Sequence, residues 1–112
     1  MKGKYVPERG DIVWLEFSPQ VGSEQRGKRP AFVLSLKSYN NKVGLGLFCP
    51  ITSSIKGYPF EVPLPEGGKI SGVILVDQIK NLDWRVRRTA FIQRTAKPLY
   101  DEVLAKLITL IG

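Results

Sequence analysis

The chain contains no histidine and a single cysteine, and those two scarcities exclude most of the familiar chemistry. Without histidine there is no Ser-His-Asp or Cys-His nucleophile, and no histidine pair for acid and base catalysis. One cysteine and no histidine also leave a zinc site of the usual kind without donors. Cys49 has no partner for an internal disulfide. Acidic residues are outnumbered, ten Asp and Glu against seventeen Lys and Arg. They are scattered along the chain, with no carboxylate cluster of the sort a two-metal site requires. No metal and no cofactor is therefore expected. No apolar run reaches the roughly 18 residues that suggest a membrane span. The segment from Met1 to Arg9 is charged and lacks the apolar stretch of a signal peptide. The expected location is the cytosol, with no membrane partner.

What remains is an ordinary core-forming composition. The 112 residues, 43% apolar and 24% charged, are most simply one domain spanning 1–112. The net charge of +7 suggests a polyanionic partner, although positive charge can serve solubility alone. Short β-like runs dominate the pattern. Ile12–Phe17, Ala31–Leu34, Leu45–Cys49, Phe60–Leu64, Val73–Val76 and Thr89–Gln93 read as strands. Pro50 is expected to stop the third, and Pro63 to place the fourth at an edge. Lys37–Gly44 reads as a polar connection and Ile51–Tyr58 as a hydroxyl-rich loop. From Pro98 the period becomes helical. Leu99, Val103, Leu104, Leu107, Ile108 and Ile111 share a face expected to be core, with Thr95 or Lys97 as cap. The fold expected is mainly β (α+β): a small, strongly bent antiparallel sheet or barrel with a C-terminal helix.

The stretch Ser18–Pro30 is polar, lies between two apolar strands, and holds Glu24, Arg26, Lys28 and Arg29. Loops framed by rigid strands commonly carry function. With histidine and metal chemistry set aside, one route to RNA cleavage needs neither: attack on phosphorus by the RNA 2′-hydroxyl. The protein then has to stabilise a crowded, multiply charged phosphorus centre, a task suited to planar arginine donors. A solvated loop charge is the plain alternative for Arg29, and a surface ion pair for Glu24. Thr52 and Ser53 equally fit simple turn chemistry. Trp14 and Trp84 suit core or interface burial, or base stacking. The Arg85, Arg87 and Arg88 run fits a solvated face, phosphate contact or an acidic-partner site.

Across nearly its whole length the chain resembles the MazF/PemK toxins of bacterial toxin–antitoxin systems, most closely the MazF branch. The resemblance is carried by Tyr5-Val6-Pro7, Gly10-Asp11, Gly22-Ser23-Glu24-Gln25, Arg29-Pro30, Tyr39-Asn40-Asn41-Lys42, Pro50 with Thr52, Lys56-Gly57-Tyr58-Pro59-Phe60, Asp77-Gln78 and Leu110-Ile111-Gly112. It implies an SH3-like β-barrel with a C-terminal helix, acting as a homodimer in the bacterial cytoplasm. It implies a sequence-specific, metal-independent endoribonuclease that cuts single-stranded RNA, leaves 2′,3′-cyclic phosphate and 5′-hydroxyl ends, and is neutralised by an acidic antitoxin. The closest branch is associated with cleavage at ACA. The family's essential arginine and threonine fall on Arg29 and Thr52, and its loop glutamate on Glu24, as base or as the group that orients Arg29. The Gly22–Gly27 part is expected to be a mobile flap. Single-stranded RNA is read by stacking and by exposed base edges. Tyr39, Asn40, Lys42, Lys56 and Tyr58 are the candidates for such contacts, with Trp14 and Phe17 bordering the groove. Lys28, Gln78 and Lys80 complete the set. Two other functions suit a small basic protein: a toxin of this fold that binds DNA gyrase without cutting RNA, and a non-catalytic SH3-like binding module.

Overall fold

The computed structural model describes residues 4–17 and 28–112. Among them the elements run β1 (Asp11–Leu15), β2 (Arg29–Val33), α1 (Lys37–Val43), β3 (Gly46–Thr52), β4 (Glu61–Pro63), β5 (Val73–Leu75), a 3-10 turn (Val76–Gln78), β6 (Lys80–Leu82), β7 (Ala90–Arg94) and α2 (Lys97–Ile111). Every strand pairing is antiparallel. The sheet order is β4-β5-β3-β2-β1-β7, with β6 attached to β3. Its two ends, β4 and β7, do not pair, so the expected mainly-β architecture is present as a bent, unclosed sheet rather than a closed ring.

The bend follows from β3. Its first half pairs with β2 and β6, whereas Ile51 and Thr52 pair with β5. Pro50 sits at this change of partner and does not end the strand, contrary to the sequence expectation. A proline is tolerated where a ladder changes direction, because no N–H is owed there. Pro63 lies on the edge strand β4, as expected.

A curled sheet buries both of its faces. Ile12, Phe32, Cys49, Ile51 and Ile74 join Leu99 and Val103 of α2 in one apolar cluster. Val13, Leu15, Phe17, Ala31, Val33, Phe48, Leu82 and Trp84 form a second on the opposite face. Each fully buried aliphatic side chain contributes about 1.5–3 kcal/mol relative to exposure. Two-sided burial explains why Ala31–Leu34 lacks alternation. The Cys49 thiol, deep in the first cluster, is pushed up to about 12 by burial and secondly by the charge of Asp77, so it stays protonated.

Three local expectations are corrected. Lys37–Val43 is a short helix, held by tertiary contacts rather than by helix propensity, which its asparagines lower. The N-cap of α2 is Ala96, without a side-chain cap. The Thr95 hydroxyl instead donates to the Gly10 carbonyl at 2.6 Å, tying β7 to the turn before β1. Finally, only the first part of α2 is core: Leu99 and Val103 are buried, but Ile108 and Ile111 are exposed, Ile111 by 72%.

Candidate active site

Strand alternation brings distant residues to one face. Leu15 pairs with Arg29, Ala31 with Pro50, and Phe48 with Lys80. The β2–β3 pairing ends at Ala31 with Pro50, and Thr52 pairs with Val73 of β5, so Arg29 and Thr52 stand at the ends of neighbouring strands. Side chains two apart along a strand share a face, so Arg29 follows Ala31 and Val33, Thr52 follows Phe48, and Phe17 follows Leu15. All of those neighbours belong to the second apolar cluster. Phe17, Arg29, Thr52 and Lys80 therefore extend that cluster to its solvent edge. Arg29 is exposed and Thr52 half-buried. The Lys80 ammonium lies 5.6 Å from the centre of the Phe17 ring.

Beyond β3 the chain makes a cleft of about 250 Å³ lined by Thr52, Ser54, Lys56, Tyr58, Glu61, Leu75 and Gln78. Four residues expected at the RNA surface thus converge. The Thr52 hydroxyl oxygen accepts the Ser54 N–H at 3.0 Å, which leaves its proton free to donate outward. Tyr58 donates to Asp77 Oδ1 at 2.8 Å. That hydrogen bond, ahead of desolvation and the Asp77 charge, raises the phenol above its ordinary value, so Tyr58 remains a hydroxyl at neutral pH. Among the described residues, no group of three His, Cys, Asp or Glu is placed to hold a metal ion.

The structure does not bring every expected residue here. Glu24 and the Gly22–Gly27 flap lie outside the described residues. Lys28 is exposed just before β2. Trp14, 36% exposed, is on the opposite face of β1 from Phe17 and pairs with Pro30. Phe17 is itself 7% exposed, so it forms the floor of the edge rather than a free stacking platform. Tyr39 and Lys42 sit on α1, where Tyr39 accepts a hydrogen bond from Asn81 and faces an apolar groove toward α2 instead of the Thr52 cleft.

Asn40 is a correction. It was expected among the RNA contacts but is fully buried. Its Oδ1 accepts from the Ser35 hydroxyl at 2.5 Å, and its Nδ2 donates to the Pro7 carbonyl at 2.8 Å and the Ser35 carbonyl at 3.2 Å. Its backbone carbonyl takes the Trp84 indole N–H at 3.0 Å. A buried amide so fully engaged is a structural knot with nothing left to offer a ligand. Two of the three clustered arginines are likewise committed. Arg87 donates to the carbonyls of Glu16 at 2.8 Å and Phe17 at 3.0 Å, fixing the end of β1. Arg85 donates to Asn41 O at 2.8 Å and stacks on Trp84.

Sequence reasoning missed two residues that build the site. Gly72 has φ +123°, and its Cα faces the Thr52 backbone so closely that a Cβ would lie 2.8 Å from the Thr52 carbonyl carbon and collide with its oxygen. The Ser71-Gly72 pair before Val73 was the available signal, because a glycine at a strand entry often marks close backbone approach. Glu61, a buried carboxylate on an edge strand, is the other. Its place in an alternating strand, Phe60-Glu61-Val62, hid it among ordinary outward-facing charges.

Residues 8–111 match the family model described as PemK-like, MazF-like toxin of type II toxin–antitoxin system. The chain is 46% identical over 112 residues to the endoribonuclease toxin MazF of Escherichia coli K12, with all of both chains covered. It is 40% identical over 105 residues to the endoribonuclease toxin ChpB of the same strain, covering 89% of this chain and 90% of that one. Among solved structures, MazF from Deinococcus radiodurans superposes with a TM-score of 0.88 at 50% identity, covering 97% of this chain and 99% of the other. A MazE–MazF complex from that organism superposes at 0.87 and 45% identity, with 97% and 98% covered.

Proposed function

Since the chain belongs to the PemK-like, MazF-like family of type II toxins, we propose that it is an endoribonuclease toxin that cuts single-stranded RNA at a short sequence, without metal, and so arrests translation and growth. The observation that carries this reading is the convergence of Thr52, Lys56, Tyr58 and Gln78 on one cleft, with the exposed Arg29 beginning β2, the strand beside β3. In the proposed reaction the 2′-oxygen attacks the adjacent phosphorus. The bond from 2′-oxygen to phosphorus forms, the bond to the 5′-oxygen breaks, the 2′ proton is lost to a base, and a proton is delivered to the departing 5′-oxygen. The products are a 2′,3′-cyclic phosphate and a 5′-hydroxyl.

Arg29 supplies planar charged donors to the phosphorane-like state. It is a poor base because its guanidinium stays protonated. Thr52 donates a hydrogen bond to the scissile phosphate. Glu24 acts as base or orients Arg29, a role taken from the family resemblance. Lys56, Lys80 and Lys28 hold neighbouring phosphates by charge, and Tyr58 and Gln78 contact bases. Tyr39 and Lys42, on α1 and outside the cleft's lining, fit only an RNA long enough to leave the cleft.

A cognate acidic antitoxin belongs to the same reading. It is supported by the net charge of +7 and by the MazE–MazF complex that this chain resembles. The homodimer is supported by Ile108, Leu110 and Ile111, which α2 leaves exposed. A cytoplasmic location belongs to the same reading and rests on the family resemblance; among the described residues no helix is long and apolar enough to cross a membrane.

The test is to incubate the purified protein with a long defined RNA, with and without excess EDTA, and to map new 5′ ends. The expected result is the same set of discrete cuts in both samples. Loss of cutting in EDTA, restored by magnesium, contradicts the metal-free scheme, and intact RNA in every sample contradicts the nuclease reading.

A further inference from the structure

The cleft beside Thr52 owes its shape to a loop, residues 54–58, with no regular structure. An irregular loop that presents Lys56 and Tyr58 has to be fixed, or the ordering cost falls on substrate binding. Glu61 does the fixing. Among the described residues it is one of two buried acidic side chains, with Asp11, at 8% exposure. Its two carboxylate oxygens divide between successive backbone amides: Oε2 accepts from Lys56 N–H at 3.0 Å and Oε1 from Gly57 N–H at 2.8 Å. The Glu61 N–H returns a hydrogen bond to the Tyr58 carbonyl at 3.1 Å. Backbone pairing with β5, Glu61 opposite Leu75, anchors the carboxylate to the sheet.

A carboxylate is an odd choice for the wall of a cleft meant for a polyanion. Two charge-assisted hydrogen bonds to amides answer that objection, because they spread its charge and are about twice as strong as neutral ones. We infer that Glu61 is a positioning residue for substrate binding, clamping the 54–58 loop so that Lys56 and Tyr58 meet the RNA already in place. This rests on the endoribonuclease reading above.

The experiment is a double-mutant cycle between Glu61→Gln and Lys56→Ala. The probe is a single-stranded RNA bearing the mapped cut site, with 2′-deoxyribose at the scissile nucleotide so that it binds without reacting. Cleavage kinetics on the all-RNA strand and the melting temperature of each variant are measured alongside. Glu61→Gln is expected to raise Kd and KM about tenfold and to leave kcat within about twofold, since Thr52 and Arg29 are held by β3 and β2 rather than by the loop. In the Lys56→Ala background its effect on Kd should be clearly smaller, because the share that acts through Lys56 is already lost and only the share that acts through Tyr58 remains. Exchange of the Lys56 and Gly57 amides should quicken. Additive effects, an unchanged Kd in a folded variant, or equal losses in kcat and kcat/KM would overturn the assignment. Should Glu61→Gln fail to fold, Glu61→Asp keeps the charge one methylene short and is read by the same cycle. Wild-type protein that cuts no RNA sinks the nuclease reading instead, so the two failures are distinguishable.

Discussion

Replacing Arg29 with alanine lowers the rate of RNA cleavage by at least about a thousandfold, while the melting temperature stays within a few degrees of wild type. The first half follows from charge. Removing one preorganised donor from a developing oxyanion costs about 2.7–4 kcal/mol, or 10²–10³ in rate. A guanidinium presents at least two such donors together with a full charge. The second half follows from placement. Arg29 is the exposed first residue of β2, and exposed substitutions of this kind usually change stability by no more than about 0.5 kcal/mol. Arg29→Lys sharpens the test. It keeps the charge and loses the planar fork, so a loss of about a hundredfold is expected if bidentate geometry matters. Measuring single-turnover cleavage with thermal unfolding of all three proteins decides it. A folded Arg29→Ala protein of normal activity removes Arg29 from the reaction.

Gly72→Ala should be the most damaging change that adds a single methyl group. Two costs combine at this position. The backbone is at φ +123°, where an L side chain is strained by about 1–3 kcal/mol. The added carbon also meets backbone atoms of Thr52 and Ser53, which cannot swing aside as a flexible side-chain tip can. Together these predict a loss of about 2–4 kcal/mol. They also predict a fall in cleavage of about a hundredfold in the protein that remains folded, because a shift of roughly 1 Å at a reacting group costs that much. Gly67→Ala separates the two costs. Gly67 has φ +91° but nothing within 4 Å of the added carbon, so it should lose about 1 kcal/mol and keep its activity. If both variants behave alike, the collision with Thr52 is not what makes Gly72 matter.

Much of the scaffold was legible because hydrophobic period is read directly from residue order. Ile12–Phe17, Ala31–Leu34 and the helix from Pro98 are found close to where their patterns lie. What escaped was anything decided by distant partners. The helix Lys37–Val43 depends on Asn40, whose side chain meets Pro7 and Ser35 and whose carbonyl meets Trp84; a run of Asn and Lys gives no hint of that. Strand β6 is only three residues and exists because β3 offers it an edge. Pro50 looked like a strand end because the rule concerns a regular ladder, and β3 changes ladders there.

The site divides in the same way. Thr52, Lys56, Tyr58 and Gln78 do share a cleft, while Arg29 begins the neighbouring strand β2 and is not among the residues that line it. Asn40 has the residue type of an RNA contact but the surroundings of a core group. Arg85 and Arg87 fitted a solvated face, a phosphate contact or an acidic-partner site, and each donates to a backbone carbonyl of a distant segment. Residue type alone could not separate these fates, since burial decides them and burial is set by the fold.

The claim at the centre of this account is that the RNA attacks itself, with the protein as electrostatic host. An RNA carrying 2′-deoxyribose at the nucleotide just 5′ of one mapped cut, and ribose everywhere else, tests it. The account predicts that cutting vanishes at that one position and continues at other mapped sites in the same strand. Cleavage there at an undiminished rate would show that another nucleophile does the work, and would contradict it.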